Sequence, residues 1–503
     1  MERQYQMVVG LTRLVCRLFF RRVEVVGLEN VPRDRGGVLV SWHPNGIIDP
    51  GIILATFPGQ IAFGARDGLF RVPLFGLILR AAGAVPILRA QDQSESTSAE
   101  ERRASNMRAL DRLAEEVVAG RFSCLFPEGD SHDQPFLLEL KSGAARFFYR
   151  AWQLSDPSGP PPALIPVGLH YDQKHAFRSH VLVEFHPPLE LNAELDLPAR
   201  PEVREASHRG RITELTRELE RVLEEVVHAT ESWDVHFLMH RVRKLVRAER
   251  SWRAGAKLQR PSIRERQLAF ARVWDGFRRL EATNAESLAA MRVRVIAYDD
   301  DLRALGLEDH ELDRSPSVVR PGLALLAVAR AFGVYFVLPP LLVLGVLAHL
   351  PALGLLWLVT LLGAKRAKDV ASIKMSMGAV LLPLTWLVVA VLTYWGHARA
   401  HVLVPWVPDT PYLVSSVSVV FSILGGAFAV RYLRLSRETI RGLQVRLTRT
   451  RRRSTILRLR GERADIMDAI ESMTAGLDLP GVVALDGRVV PDGVLRPADV
   501  LRE

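Results

Sequence analysis

The chain has 503 residues, with 66 Lys plus Arg, 56 Asp plus Glu and two Cys, a length that holds more than one structural unit at ordinary domain sizes. The formal net charge of +10 is local, because residues 431–463 carry twelve Arg and two Glu while the remainder is close to neutral. A globally basic nucleic-acid binder is therefore disfavoured, and Cys16 and Cys124 alone cannot staple a disulfide-based secreted fold.

The chain opens on an amphipathic segment, residues 1–21. Val8, Leu11, Val15, Leu18 and Phe19 recur at helical spacing, with Arg13 and Arg17 four apart on the other side. A helix lying in a membrane interface is expected. No small-residue cleavage site follows it, as a signal peptide would require.

Residues 22–202 alternate β-rich runs with helical patterns. The runs are Val23 to Val26, Gly37 to Ser41, Ala84 to Leu88, Phe122 to Phe126, Leu164 to Leu169 and Val181 to Phe185. The clearest helices are Ser98 to Ala119 and Gly143 to Gln153. This alternation predicts an α/β domain with a mainly parallel sheet flanked by helices. From 203 to 318 the chain turns into charged helix. Its apolar stripe Ile212, Leu215, Leu219, Val222, Leu223 and Val226 predicts packing on the α/β domain.

Residues 319–430 form a membranous part. Ala331 to Ala364, Met375 to Gly396 and Thr410 to Val430 hold no Asp, Glu, Lys or Arg. A bilayer core needs about 20 apolar residues per helix. The last two blocks fit one pass each. The first, broken by Pro339, Pro340 and Pro351, is expected to fold as a two-helix hairpin, which makes two hairpins in all. The basic loop at 365–374 and the basic tail 431–503 then face the cytoplasm of a cell inner membrane by the positive-inside rule, and an even number of passes puts the α/β domain there too. The arginines of the tail are expected to dock on the anionic face.

Two segments carry chemistry. His43 stands in a polar turn straight after a predicted strand, with Asp49 six residues on. A carboxylate beside an imidazole fixes its tautomer and steadies the imidazolium, so the pair can deprotonate a hydroxyl. The second segment, Phe126-Pro-Glu-Gly-Asp-Ser-His-Asp133, also follows a strand, and its Pro127 and Gly129 turn holds Glu128 at a strand C-terminal end, where α/β sheets place their sites. Ser131, His132 and Asp133 are consecutive and cannot line up as a triad. No Gly-x-Ser-x-Gly elbow, His-Glu-x-x-His or phosphate loop occurs.

Taken together, four blocks in order make the chain resemble the phospholipid/glycerol acyltransferase superfamily, nearest to the fungal-type glycerol-3-phosphate/dihydroxyacetone-phosphate acyltransferases and their bacterial relatives. They are His43 to Asp49, Ala65 to Asp92, Phe126 through Leu140-Lys141-Ser-Gly143, and Ile165-Pro-Val-Gly168 with Phe177-Arg178-Ser179. The His to Asp spacing is one residue longer than is usual in the superfamily and matches that subgroup. The resemblance implies His43 as general base and Asp49 as its orienting partner. It also implies an acceptor site of Glu128, Gly129, Arg89, Arg66, Arg71, Ser131, Lys141 and Arg178. Backbone N–H groups near Glu128 and Gly129 are expected at the oxyanion. Ser131 stands where many members have Arg, so the acceptor phosphate is expected on Arg89, Lys141 or Arg178.

The expected activity is transfer of a fatty acyl group from acyl-CoA or acyl-ACP to the sn-1 hydroxyl of glycerol 3-phosphate at the bilayer, as a step of phospholipid biosynthesis, with no cofactor, no metal and no nucleic acid. Lysophosphatidate or another lysolipid is the alternative acceptor. The alternative of another class is an inactive membrane anchor whose Arg-rich tail binds anionic lipid or nucleic acid.

Overall fold

The computed structural model describes residues 2–88, 99–192, 195–196, 208–256, 258–313, 321–364 and 366–494. Two compact units emerge, Met1–His236 with Lys365–Ser372, and Phe237–Ala364 with Ile373–Glu503.

The first unit begins with α1 (Glu2–Phe19) and β1 (Arg22–Val26). Then come β2 (Gly37–Ser41), α2 (Ile48–Thr56), β3 (Ile61–Arg66), α3 (Asp67–Phe70), α4 (Pro73–Ala81) and β4 (Val85–Ile87). The unit continues with α5 (Ala99–Val118), β5 (Phe122–Leu125), α6 (Gly143–Leu154), β6 (Ala163–Tyr171), β7 (His180–Phe185) and α7 (His208–Val227). The seven strands form one sheet in the order β1-β7-β6-β2-β5-β3-β4. Every pairing in it is parallel except β6 with β7, so the mainly parallel α/β fold is as expected.

The centre of the sheet explains its sequence. A parallel strand covered on both faces is apolar on both, and Gly37-Val-Leu-Val-Ser41 is buried at every position. Strand β3 was not among the expected strands. Its Ala62, Gly64 and Ala65 have weak strand preference, and pairing with β4 and β5 decides the matter. A Cβ on Gly64 would sit 2.2 Å from Ile87 Cδ1, so the missing side chain is what lets the β4 isoleucine close over it. On one face, Phe147, Phe148 and Tyr149 of α6 pack with Leu215, Leu219 and Leu223 of α7 in the main core. Burying each such side chain stabilises by about 1.5–3 kcal/mol.

Helix α1 has two apolar faces. Tyr5, Val8, Val9, Cys16 and Phe19 are buried, whereas Met7, Leu11, Leu14 and Leu18 are exposed. The apolar stripe expected from the sequence is thus split, with Val8 and Phe19 inside and Leu11 and Leu18 outside.

The second unit is helical. Helices Trp233–Arg253, Ile263–Thr283 and Ala285–Ala304 enter it from the N-terminal side, and Arg453–Thr474 from the C-terminal side. Among the described residues three helices are long and apolar enough to cross a membrane, at Gly345–Gly363, Asp369–Leu403 and Pro411–Arg451. The expected hairpin in 331–364 is corrected. Leu338–Gly363 is one helix, with Pro351 inside it and a π turn at Gly333–Val337 before it. Pro339 and Pro340 follow directly on that π turn, whose wider spacing takes up their missing N–H groups, so prolines that looked like breaks are carried within continuous helix. The even-pass premise for the expected orientation goes with that hairpin.

The arginine-rich segment is also not a free tail. Pro411–Arg451 continues unbroken past the apolar stretch. Arg463 is fully buried, 2.7 Å from Glu249 and 2.7 Å from Asp313. Arg441 pairs with Glu308, and Arg458 with Asp301. The expectation that these arginines serve a lipid surface is corrected for these three: protein carboxylates hold them.

Candidate active site

The strand order brings the chemistry together. Strands β6, β2 and β5 are adjacent and parallel, so their C-terminal ends share one edge of the sheet. His43 follows β2, the Pro127–Gly129 turn follows β5, and Tyr171 ends β6. Residues far apart in sequence therefore become neighbours at the edge where α/β folds place their sites.

His43 and Asp49 meet as the sequence suggested. Residues 44–47 turn tightly, with Gly46 at φ 55°, and Asp49 falls in the first turn of α2. Its carboxylate folds back over the turn. Oδ2 is 2.8 Å from His43 Nδ1 and accepts the Asn45 backbone N–H at 2.7 Å. The position also suits a negative charge, since the helix N-terminus carries partial positive charge. Asp49 is completely buried, while the His43 side chain keeps 13% exposure. A carboxylate on Nδ1 selects the tautomer with the proton there and leaves Nε2 as an acceptor. Nε2 has no hydrogen-bond partner among the described residues. The ring is also held flat, because Phe126 stacks on it at 4.2 Å and 18°.

Tyr171 was not singled out by sequence. Its hydroxyl donates to Asp49 Oδ1 at 2.6 Å, so both carboxylate oxygens are engaged. Burial first, and then the charge of Asp49, push this phenol well above its ordinary range. Burial also pushes up the thiol of Cys124, again with help from Asp49, and raises Cys16 to about 12. Neither cysteine is a nucleophile in this environment.

Glu128 points inward. Its Oε2 accepts the His43 backbone N–H at 2.7 Å, and Oε1 accepts the Leu138 N–H at 3.0 Å and lies 2.5 Å from His132 Nε2. The His132 N–H in turn donates to the His43 carbonyl at 3.0 Å. The carboxylate expected to bind acceptor thus clamps the His43 backbone to the second turn. His132 is part of that clamp, a role its place beside Ser131 and Asp133 did not reveal. Gly129 has φ 71°, and a Cβ there would sit 2.6 Å from Lys141 Nζ, so glycine lets the lysine lie across the turn. The Gly129 N–H is committed to the Phe126 carbonyl at 3.0 Å, which corrects the expectation that it faces an oxyanion.

The expected acceptor cations divide. Lys141 lies at the turn, and its own N–H donates to Pro127 O at 2.9 Å. Ser131 caps the turn by donating its N–H to Asp130 Oδ1 at 2.9 Å. Arg66 is exposed at the end of β3, and Arg71 pairs with Asp67 at 2.8 Å on the surface. Arg178 is a correction. It sits at φ 63° and donates Nη1 to the carbonyls of Arg17, Leu18 and Phe20, so it caps the C-terminus of α1 instead of facing the turn. Arg89 lies outside the described residues.

Two other cations are nearby. Lys174 donates to Pro44 O at 3.2 Å and pairs with Asp133. Arg366 lies 3.5 Å from Asp130, and Ser372 donates to the Asn45 carbonyl at 3.4 Å. Residues 366–372 of the basic 365–374 stretch, read as a loop between membrane helices, are thus packed on the turns after β2 and β5 within this unit. Hydropathy reports only that it interrupts apolar sequence, so nothing in the pattern pointed there. Among the described residues no group of three or more His, Cys, Asp or Glu could hold a metal ion.

Residues 22–170 match the family model described as Acyltransferase. Glycerol-3-phosphate O-acyltransferase 1 of Saccharomyces cerevisiae is 26% identical over 205 residues, covering 41% of this chain and 25% of that protein. An uncharacterized acyltransferase of Schizosaccharomyces pombe is 24% identical over 394 residues, covering 61% of this chain and 55% of that one. The chain therefore spans between a quarter and about half of these relatives. Among solved structures, the 1-acyl-sn-glycerophosphate acyltransferase PlsC of Thermotoga maritima aligns with TM-score 0.31 and 19% identity, over 45% of this chain and 80% of that one.

Proposed function

We propose that the α/β unit, whose residues 22–170 match the Acyltransferase family model, is an acyltransferase domain of the phospholipid/glycerol acyltransferase superfamily, and that the chain is an acyl-thioester-dependent O-acyltransferase whose acceptor is glycerol 3-phosphate. The observation that carries this reading is the His43 ring, with Nδ1 held by the buried Asp49 carboxylate and Nε2 open.

The chemistry follows from that ring. Nε2 takes the proton of an acceptor hydroxyl as its oxygen attacks the carbonyl carbon of the thioester. The tetrahedral oxyanion collapses, the carbon–sulfur bond breaks, and the imidazolium returns the proton to the leaving thiolate. An ester and a free thiol result, with no covalent enzyme intermediate. Asp49 keeps the ring in its tautomer and balances the imidazolium. Glu128 and His132 position the His43 backbone, and Phe126 fixes the ring plane. Lys141 at the turn supplies positive charge for an acceptor phosphate, with Arg366 as a further cation on the same turn.

The three apolar helices support a membrane location, and the exposed Met7, Leu11, Leu14 and Leu18 of α1 support contact of the catalytic unit with lipid. That same apolar face favours a second reading, in which the acceptor is a lysolipid presented from the bilayer. Purified full-length protein in lipid nanodiscs, given one acyl-CoA and either glycerol 3-phosphate or lysophosphatidate, separates the two. Preferential acylation of glycerol 3-phosphate is expected, and a marked preference for lysophosphatidate overturns it.

A further inference from the structure

We propose that Tyr171 is a positioning residue for the reaction, its phenol fixing the orientation and charge of Asp49 and so setting how readily His43 takes a proton. This rests on the reading of His43 as general base.

Asp49 is fully buried and receives three donors. The His43 Nδ1–H and the Asn45 N–H share Oδ2, while Tyr171 alone serves Oδ1 at 2.6 Å. Without the phenol, Oδ1 has no partner among the described residues. The carboxylate is then held through Oδ2 alone, so its rotation about the Cβ–Cγ bond is less restrained and the aim of Oδ2 on the imidazole is looser. A hydrogen bond to an ionised group is among the stronger ones, and leaving a buried oxygen unsatisfied is costly.

The position of Tyr171 is itself determined by the fold. It is the last residue of β6, next to β2 in the sheet, and its ring lies 6.0 Å from that of Phe20 at the end of α1. The loop that follows returns to the same turn through the Asn45 side chain, which donates to the Lys174 carbonyl at 3.3 Å. Burial keeps the phenol protonated, so it donates at every working pH.

Electrostatics gives the sign. A donor on Oδ1 disperses the carboxylate charge that would otherwise stabilise the His43 imidazolium. Removing it makes His43 hold its proton to higher pH, and less of the enzyme carries the free base at a given pH. The other titratable or charged groups around the pair are Glu128 and His132 on the turn after β5, Cys124 on β5, Cys16 on α1, Lys174 with Asp133, and Arg366 with Asp130. None of them donates to Oδ1.

The test is the pH dependence of acyl transfer by the full chain carrying Tyr171→Phe. The acid limb of kcat/KM is expected to move up by about half a pH unit, and kcat is expected to fall about tenfold with acceptor KM nearly unchanged. Replacing Tyr171 by 3-fluorotyrosine, a stronger donor of nearly the same size, is expected to move the acid limb the other way, and it decides the matter if the Phe variant does not fold. An acid limb unmoved in both variants overturns the proposal, even if kcat and thermal stability drop together, since that is loss of packing alone. His43→Ala is run alongside. Activity retained there overturns the general-base reading, whereas a dead His43→Ala beside an unmoved Tyr171 profile overturns only the role of Tyr171.

Discussion

Both units bury charge, and they do so to different ends. In the α/β unit, Asp49 is closed on every side while its partner His43 keeps one nitrogen open. In the helical unit, the buried Arg463 gives its guanidinium to Glu249, Asp313 and the Asp309 carbonyl. Arg241 is likewise held by Asp309 and Asp299, with Tyr298 donating to Asp309 at 2.9 Å. A network that ends inside the protein fixes structure. One that leaves an acceptor at its edge can do chemistry. The same residue types serve both, so composition cannot separate them.

The contrast can be broken by mutation. His43→Ala should lower acyl transfer about 10³-fold or more, far beyond what any drop in melting temperature from the lost Asp49 and Phe126 contacts accounts for. Comparable loss of both would make the ring structural. Arg463→Ala should do the reverse. It removes the buried cation between Glu249 and Asp313 and leaves them only the more exposed Arg253 and Arg460, at a cost of up to about 3–5 kcal/mol, read as a lower unfolding midpoint in denaturant. An unchanged midpoint would show that water reaches Glu249 and Asp313.

Finer tests sharpen the picture of the α/β unit. Lys141→Ala should raise the acceptor KM about tenfold with a smaller change in kcat, since a point charge on a ground-state phosphate acts mainly on binding. An unaltered KM would shift attention to Arg366. The smallest effect is on stability with pH. His170 is buried beside His228 and His186, and its pKa lies well below the usual imidazole range because of burial first and those neighbours second. The unfolded chain therefore binds a proton that the folded chain refuses. Stability should be intact above about pH 6.5 and decline as pH falls below it. His170→Gln should flatten that decline, measured as thermal midpoints between pH 7 and pH 5.

The turns after β2 and β5 show where the sequence was legible. His43 and Asp49 are six residues apart, and a tight turn into a helix lets them meet whatever the rest of the fold does. The strand and helix periods of 22–190 were readable for the same reason, apart from the weak β3. Glu128 was found, but its direction was not, since only the parallel pairing of β2 with β5 aims it at the His43 backbone. Arg178 looked like a phosphate ligand from its motif, and the position of α1 claimed it as a cap.

What the sequence determined by itself, then, is what depends on neighbours along the chain: the α/β alternation, the apolar helices, and the meeting of His43 with Asp49. The tertiary structure alone decided which oxygens of Asp49 and Glu128 are occupied, that Tyr171 and Ser372 both reach the turn of residues 43–49, and that Arg463 is paired inside the helical unit. The reason is physical. Periodicity and turn chemistry are written in local dihedral preferences, whereas a buried polar group is defined by partners that the strand order and helix packing deliver from elsewhere in the chain. The +10 charge shows this most clearly: its place in sequence suggested a surface, and the carboxylates of the helical unit turned part of it into core.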